Sequence, residues 1–349
     1  MPGMGPGDVI EKAHAQVLPA LTALQSELGS PVLTYFLDDA ISAAIADEQV
    51  LQLYEHLRRL GHRPTMVLWL NSRGGATEVP GRVISLLREF TDRLTVAVPY
   101  RAHSAATLIC LGADEILMSE LSELGPVDPS RNHPLLPKEE GSAGKPQPIP
   151  ISVQDLRHLL KFLEREMGKD ALTGPTAGQV FTALFEKVHP LAIGALEQSW
   201  TLAQQICEQV LKTHMAHSTE GELAEIRSIV DRLSDHYKSH LYQIDRGEAE
   251  RIGLKVRRAS DHESQLMWDL LRAYASITVE AKLELGAGQK AIGRRLGHID
   301  SAVGASLGLM LLTEKQPPEV LGSRWDSWFP EPAAAPLGLA TPLPPETEA

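Results

Sequence analysis

Aromatic residues are scarce, 5% of the chain, so any core must be packed from leucine, isoleucine, valine and alanine; a hydrophobic content of 43% is ample for that. Positive charge is not in excess either. The formal net charge is −12 and the sequence pI is near 5.6, which argues against nucleic acid as a partner, since that binding depends on neutralising phosphates with Lys and Arg. There are two cysteines. Both, Cys110 and Cys207, sit inside apolar helical patterns without metal-ligand spacing, so they read as buried free thiols and no metal site is expected. No apolar run is long enough to span a bilayer, and the start lacks the basic-then-apolar order of a signal peptide. A protein without a membrane span, located in the cytoplasm, is the expectation.

What the chain does have is a pair of strand–turn–helix units. In the second, the apolar run 94–98 is stopped by Pro99, small residues follow, and a second apolar run from Ala105 to Leu111 is closed by Gly112. The pattern predicts a strand, a tight turn and a helix with Ser104 at the helix start. A serine there is either a helix cap or a hydroxyl placed beside N–H groups that lack helical partners. The first unit has the apolar run 66–70, then Asn71-Ser72-Arg73-Gly74-Gly75 and a helix near 83–90. A Gly-Gly turn lets backbone approach a ligand closely, and its N–H can face the same crevice as Ser104. One unit offers donors for an oxyanion and the other a nucleophile, which is the equipment of acyl transfer.

Leu-Asn-Ser-Arg-Gly-Gly (70–75), Val-Pro-Tyr-Arg-Ala-His-Ser-Ala-Ala-Thr (98–107), Ala-Asp-Glu-Ile-Leu-Met (113–118) and Ser-Glu-Leu-Gly-Pro-Val-Asp-Pro (122–129) together resemble the serine dehydrogenase proteinase family. That family is related to the Clp protease proteolytic subunit and signal peptide peptidase A, in the crotonase-like fold. The resemblance covers residues 30–131 and returns at Ser239-His240 and Ile244-Asp245-Arg246-Gly247-Glu248-Ala249. It implies Ser104 as nucleophile, with Gly75 and Ala105 giving the oxyanion-hole N–H groups. Such relatives carry glycine two residues after the serine, where this chain has Ala106.

A serine hydroxyl needs a neighbouring base. The Clp-type histidine would fall near 127–129, where there is none. His240, in the returning Ser-His segment, is the preferred base, with Asp128 holding its imidazole, a Ser–His–Asp set recognised by role and not by order. Lys138 and Lys145 are the alternative base, as in lysine-dyad relatives. His103 and His133 lie nearby in sequence and are weaker candidates.

The expected fold is α/β: a Clp/crotonase-like, mainly parallel sheet with covering helices, since strand and helix alternate, plus a helical insertion and a disordered C-terminal tail. The segments are an N-terminal helix and lead (1–29), the core (30–150), the insertion (151–238), a return to the core with a C-terminal helix (239–285), and a mostly flexible tail (286–349). The Trp325-Asp326-Ser327-Trp328-Phe329 cluster in that tail is expected to dock on a partner or on the protein itself. The leading functional reading is a serine endopeptidase without a cofactor, acting on a peptide or protein substrate as a homo-oligomer. The alternatives are a crotonase-type acyl-CoA enzyme and a catalytically silent oligomeric scaffold, the latter favoured by Ala106.

Overall fold

A computed structural model describes residues 6–39, 43–128, 130–131, 135–140, 146–149, 151–168, 172–175, 177–215, 217–284, 290–314, 318 and 320–330. The chain begins with α1 (Pro6–Leu28), then alternates through β1 (Val32–Leu37), α2 (Glu48–Leu60), β2 (Arg63–Asn71), α3 (Val79–Arg88) and β3 (Thr91–Val98). A two-residue β4 (Arg101–Ala102), α4 (Ala105–Leu111), β5 (Glu115–Met118) and β6 (Glu123–Leu124) follow. Short strands β7 (Ser130–Arg131), β8 (Lys138–Glu140), β9 (Pro146–Pro148) and β10 (Ile151–Ser152) lead into α5 (Val153–Met167), α6 (Ala177–Lys187), α7 (Pro190–Leu211) and α8 (Glu220–Asp231). The last of these runs into a π-helical turn, Arg232–His236. The chain then returns through β11 (Ile244–Asp245), α9 (Arg246–Ile252), β12 (Val256–Arg258) and α10 (Asp261–Ser276) to β13 (Glu280–Glu284), β14 (Lys290–Ser301), β15 (Gly304–Leu312) and β16 (Val320–Trp328).

Nine of these strands form one sheet in the order β12-β5-β3-β2-β1-β14-β15-β16, with β13 also on β14. The five strands from β12 to β1 are parallel; their connections are the helices that the alternating pattern predicts. The sheet is buried on both faces. Leu33, Tyr35, Leu68, Leu70, Val96 and Val98 face α2, α3 and α4, while Val32, Phe36, Val67 and Trp69 face α1 and α10. Period-two alternation therefore sorts one continuous apolar run into two cores. The apolar stripes of α1 (Val17, Leu21, Leu24) and α10 (Met267, Leu270, Leu271, Tyr274) are buried on the second face.

The expectation of a flexible tail from residue 286 does not hold for its first half. Residues 290–312 and 320–328 form three antiparallel strands that extend the sheet beyond β1. The aromatic cluster docks on the protein itself: Trp328 meets the His14 ring at 5.8 Å and Phe329 meets His56 at 4.9 Å, with the Arg59 guanidinium 4.0 Å over Phe329. Gly308 is required here, because a Cβ would lie 2.5 Å from the Trp325 ring. The end of the tail, 331–349, lies outside the described residues, as do residues 134 and 141–145 of the loop 134–147. The expected helical insertion contains, among the described residues, the four α-helices α5 to α8.

A buried polar hub ties this antiparallel half to the rest. Asp300, fully buried on β14, takes His14 Nδ1 from α1 at 2.8 Å and the Tyr274 hydroxyl from α10 at 2.9 Å. Thr34 on β1 donates to the Asp300 carbonyl and accepts from its N–H. Next to it, His56 bonds Ser301 (2.8 Å) and Ser306 (3.2 Å). His298, fully buried, has no hydrogen-bond partner among the described residues at either ring nitrogen. Burial holds both His56 and His298 down at about 4, against the partial counter-pull of Asp300.

These two histidines generate a pH prediction. Their folded values lie below the unfolded value of about 6.5, so the unfolded chain binds more protons in between. Stability is full above about pH 6.5 and is lost as pH falls toward 4, by at most about 3 kcal/mol per histidine. Denaturant melts at pH 7.5 and 5 should show that loss, and His298→Leu should shrink the difference. An equal difference in both proteins would refute the assignment.

Candidate active site

The site is made by two backbone segments that continue β2 and β3 past the edge of the sheet. Ser72 and Ala102 form a parallel bridge: Ser72 N–H donates to the Arg101 carbonyl (3.0 Å) and His103 N–H to the Ser72 carbonyl (3.1 Å). On its other side the glycine turn pairs with Ile45, which donates to the Gly74 carbonyl and accepts from Ala76 N–H, both at 2.8 Å. In a parallel bridge the residue between those two groups turns its own N–H the opposite way. Gly75 N–H is therefore directed away from Ile45, toward the side on which Ser104 lies.

Ser104 has φ 52°, and among the described residues it alone takes a positive φ without being glycine. Such a conformation costs energy and persists where the surroundings over-determine it. The surroundings here are Gly74 (φ 106°): a Cβ on it would lie 2.7 Å from the His103 carbonyl oxygen and 2.9 Å from Ser104 Cβ. Gly75 is equally tight, with Ile45 N and O both 2.3 Å from a built Cβ. Ser104 precedes α4 but its side chain makes no capping bond. The capping reading is thus set aside: the hydroxyl is not consumed by the helix. Ala105, the first residue of α4, has an N–H with no intrahelical acceptor by position. Ala106 is fully buried and its N–H donates to the His103 carbonyl at 2.9 Å. It belongs to the buried apolar cluster beneath α4.

Around this elbow runs a chain of charges that motif reasoning missed. Arg73 of the glycine turn pairs with Asp39 (3.1 Å), Asp39 with Arg101 (3.1 Å), and Glu123 lies 3.6 Å from Arg101 and 3.1 Å from His103 Nε2. The alternation Tyr-Arg-Ala-His before the serine was its only signal in the sequence. His103 is 9% exposed and its ring packs against Gly125, where a Cβ would lie 2.9 Å from Cγ. Burial first, then the Arg101, His240 and Arg73 charges, hold it down at about 4. It is a neutral group lodged against the 123–125 segment.

His240 lies close enough to His103 for its charge to act there. Burial lowers its own pKa, while the Asp128 backbone carbonyl and the Asp155 charge pull the other way. Its Nδ1 is buried and, among the described residues, unpaired. Sequence reasoning expected the Asp128 carboxylate on this ring. The structure differs: Asp128 meets His240 through its main chain, and its carboxyl hydrogen-bonds Ser152, the N-cap of α5. With 3% exposure and Oδ1 unpartnered, burial pushes the Asp128 carboxyl up to about 6. No hydrogen bond joins Ser104 to His240 among the described residues. Lys138 is exposed on β8, and Lys145 and His133 lie outside the described residues. Among the described residues there is no cluster that could hold a metal, and no helix is long and apolar enough to cross a membrane.

A cleft of about 720 Å³ opens beside the glycine turn, between residues 75–78 and the α7 residues Glu197, Gln198, Thr201 and Gln205. The insertion therefore forms one wall of the space in front of Gly75.

No known family profile matches the chain. A 62-residue stretch, 18% of the chain, is 37% identical to an uncharacterized protein of Methanocaldococcus jannaschii, and spans 21% of that relative's length. Among solved structures, a membrane-bound stomatin-specific protease is similar at 11% identity over 68% of this chain and 82% of its own, with a TM-score of 0.35. The ClpP protease catalytic domain from Plasmodium falciparum is 11% identical over 63% and 82%, at 0.29. A probable enoyl-CoA hydratase/isomerase from Mycobacterium abscessus is 14% identical over 67% of each chain, at 0.29.

The tight turn yields a prediction. Gly75→Ala forces its methyl onto the Ile45 backbone and should displace the Gly75 N–H. Loss of one oxyanion donor lowers rates on the order of 100- to 1000-fold. Covalent labelling by a fluorophosphonate, timed on the folded variant, measures this; an unchanged labelling rate would exclude Gly75 from the hole.

Proposed function

We propose that the chain is a serine hydrolase cleaving peptide bonds through an acyl-enzyme on Ser104. The observation that carries this reading is the unspent Ser104 hydroxyl at φ 52°, held against the Gly74-Gly75 turn at the start of α4. Ser104 Oγ attacks the substrate carbonyl and the new oxyanion takes Gly75 N–H and Ala105 N–H. His240 accepts the hydroxyl proton and returns it to the leaving amine as the C–N bond breaks. Water then releases the acyl group by the same exchange in reverse. Asp128 serves this ring through its main-chain carbonyl, and a modest closure brings the ring onto Ser104.

The chemistry has a pH signature. A histidine base must be neutral to accept a proton, and burial lowers the His240 pKa. The acidic limb of kcat/KM should therefore lie below about pH 6.5, the ordinary histidine value. Ser104→Ala should abolish fluorophosphonate labelling and peptidase activity with circular dichroism unchanged. His240→Gln should be nearly inactive, while Lys138→Met and Lys145→Met keep most activity. Labelling that survives in Ser104→Ala, or activity lost only in a lysine variant, would sink the nucleophile or the base assignment respectively.

The subunit works as a homo-oligomer in this reading. The support is the insertion: α5 buries only Val153 and Gln154, α6 buries none of its residues, and Phe162, Met167 and Phe185 are 49%, 57% and 44% exposed. Amphipathic helices with an uncovered apolar face mark association surfaces. Light scattering at micromolar concentration should give a multiple of the 38.1 kDa chain mass; a monomer counts against the reading.

A further inference from the structure

The insertion carries a second groove, of about 980 Å³, on the flank of α7 and α8 and open to solvent. It runs along the π-helical turn and is lined by Arg157, Arg227, Arg232, Lys238 and Arg251, against two carboxylates, Asp231 and Asp235. This is a local excess of positive charge in a chain whose net charge is −12. Two of the five cations are neutralised within the subunit: Arg157 pairs with Asp235 at 2.7 Å and stacks 3.9 Å over Trp200, and Arg227 pairs with Glu220. The Lys238 charge also acts on the Asp235 carboxyl, from beyond ion-pair distance. Arg232 Nη1 lies 3.4 Å from His236 Nε2, and the Lys238 ammonium donates to the Asp235 main-chain carbonyl at 2.9 Å. Arg232 and Arg251 have no carboxylate within ion-pair distance among the described residues.

Cations that line one groove repel each other, and an anionic ligand relieves that repulsion. A long polyanion such as nucleic acid would also meet the field of the whole acidic chain. A single phosphate favours donors converging on one point, as in a nest or an arginine fork, whereas here five cationic side chains and the carboxylates Asp231 and Asp235 line one groove of about 980 Å³. A short, extended polypeptide rich in Asp and Glu fits both constraints, since its several carboxylates can each meet one of the cations that line the groove. We propose that this groove docks an acidic segment of a protein substrate or partner, beside the cleft that opens in front of Gly75. Because α7 lines both the groove, through Trp200 and Gln204, and the cleft, through Thr201 and Gln205, a segment held in one leaves the chain beyond it next to the other. The docking does not depend on Ser104 acting as a nucleophile.

Fluorescence anisotropy of the full chain with a labelled, N-acetylated octaglutamate tests this. Binding should weaken steeply between about 50 and about 300 mM salt, as screening requires. It should fall about tenfold or more in Arg232→Glu/Arg251→Glu, where two exposed attractions become repulsions. The control Arg58→Glu/Arg63→Glu makes the same change in net charge on the exposed surface of α2 and β2 and should bind as the unaltered chain does. Ser104→Ala should also bind normally, so loss of catalysis and loss of docking are told apart. Equal loss in both double variants, or no octaglutamate binding at low salt, would overturn the proposal. So would groove-dependent binding of inorganic pyrophosphate without binding of octaglutamate, since the groove would then be a small-anion site.

Discussion

The site depends on one close approach, that of the Gly74-Gly75 backbone to the elbow at Ser104. A Cβ on Gly74 would lie 2.7 Å from the His103 carbonyl oxygen and 2.9 Å from Ser104 Cβ, and one on Gly75 would lie 2.3 Å from Ile45 N and O, so the turn is clamped between the elbow and the Ile45 segment. The approach is fixed from both sides: by the Ser72–Ala102 bridge toward β4 and by the Ile45 bridge on the other. The Arg73–Asp39–Arg101 ion pairs repeat the same link through side chains. With its neighbours held this firmly, Ser104 is kept in a backbone conformation that a free serine avoids. Its hydroxyl is then left out of the helix cap. Strain at this residue and freedom of its side chain are two results of one constraint.

How much of this was legible in the sequence follows from the range of the contacts. The elbow and the turn are local: glycines at 74 and 75, small residues after Pro99 and apolar runs of strand length announce them, and the five parallel strands follow from alternation. The antiparallel half was not legible for a physical reason. In β14 and β15 the buried positions include His298, Asp300, Ser301 and Ser306, so the polarity that normally marks a solvent face here marks a core hub. Glycines at 293, 297, 304 and 308 further break the pattern. Asp300, Ser301 and Ser306 are acceptable there because partners arrive from α1, α2, β1 and α10, up to 286 residues away. No window of sequence contains both halves of such a pair.

The relation of Asp128 and His240 shows the same limit at the site itself. Their proximity was inferred from motif order, and the structure does bring them together, yet through the Asp128 main chain. The carboxylate is drawn to Ser152 because that hydroxyl caps α5 and completes a capping box with Asp155. The start of the insertion is thus fastened to the histidine side of the site. A sequence can reveal a capping box; it cannot reveal that the box also recruits a carboxylate from another segment.

That fastening gives the insertion a role beyond bulk. Its first turn holds Asp128, its α7 walls the cleft before Gly75, and Gln154 ties the same first turn to the π-helical segment through the Ser234 carbonyl at 3.0 Å. The π-helical segment precedes His240 by a few residues, so any shift of α5 is passed both to the Asp128 carbonyl and to the stretch that bears the imidazole. In the proposed mechanism the histidine half of the site is thus fastened to the end of the insertion, and the serine half to the parallel sheet. A site divided between a rigid sheet and a set of helices with uncovered apolar faces is one whose two halves come into register when those helices are packed. Covering α5 and α6 in an assembly would limit their freedom and with it the distance between His240 and Ser104. On this argument, assembly and catalytic competence are the same packing event seen at two ends of one insertion.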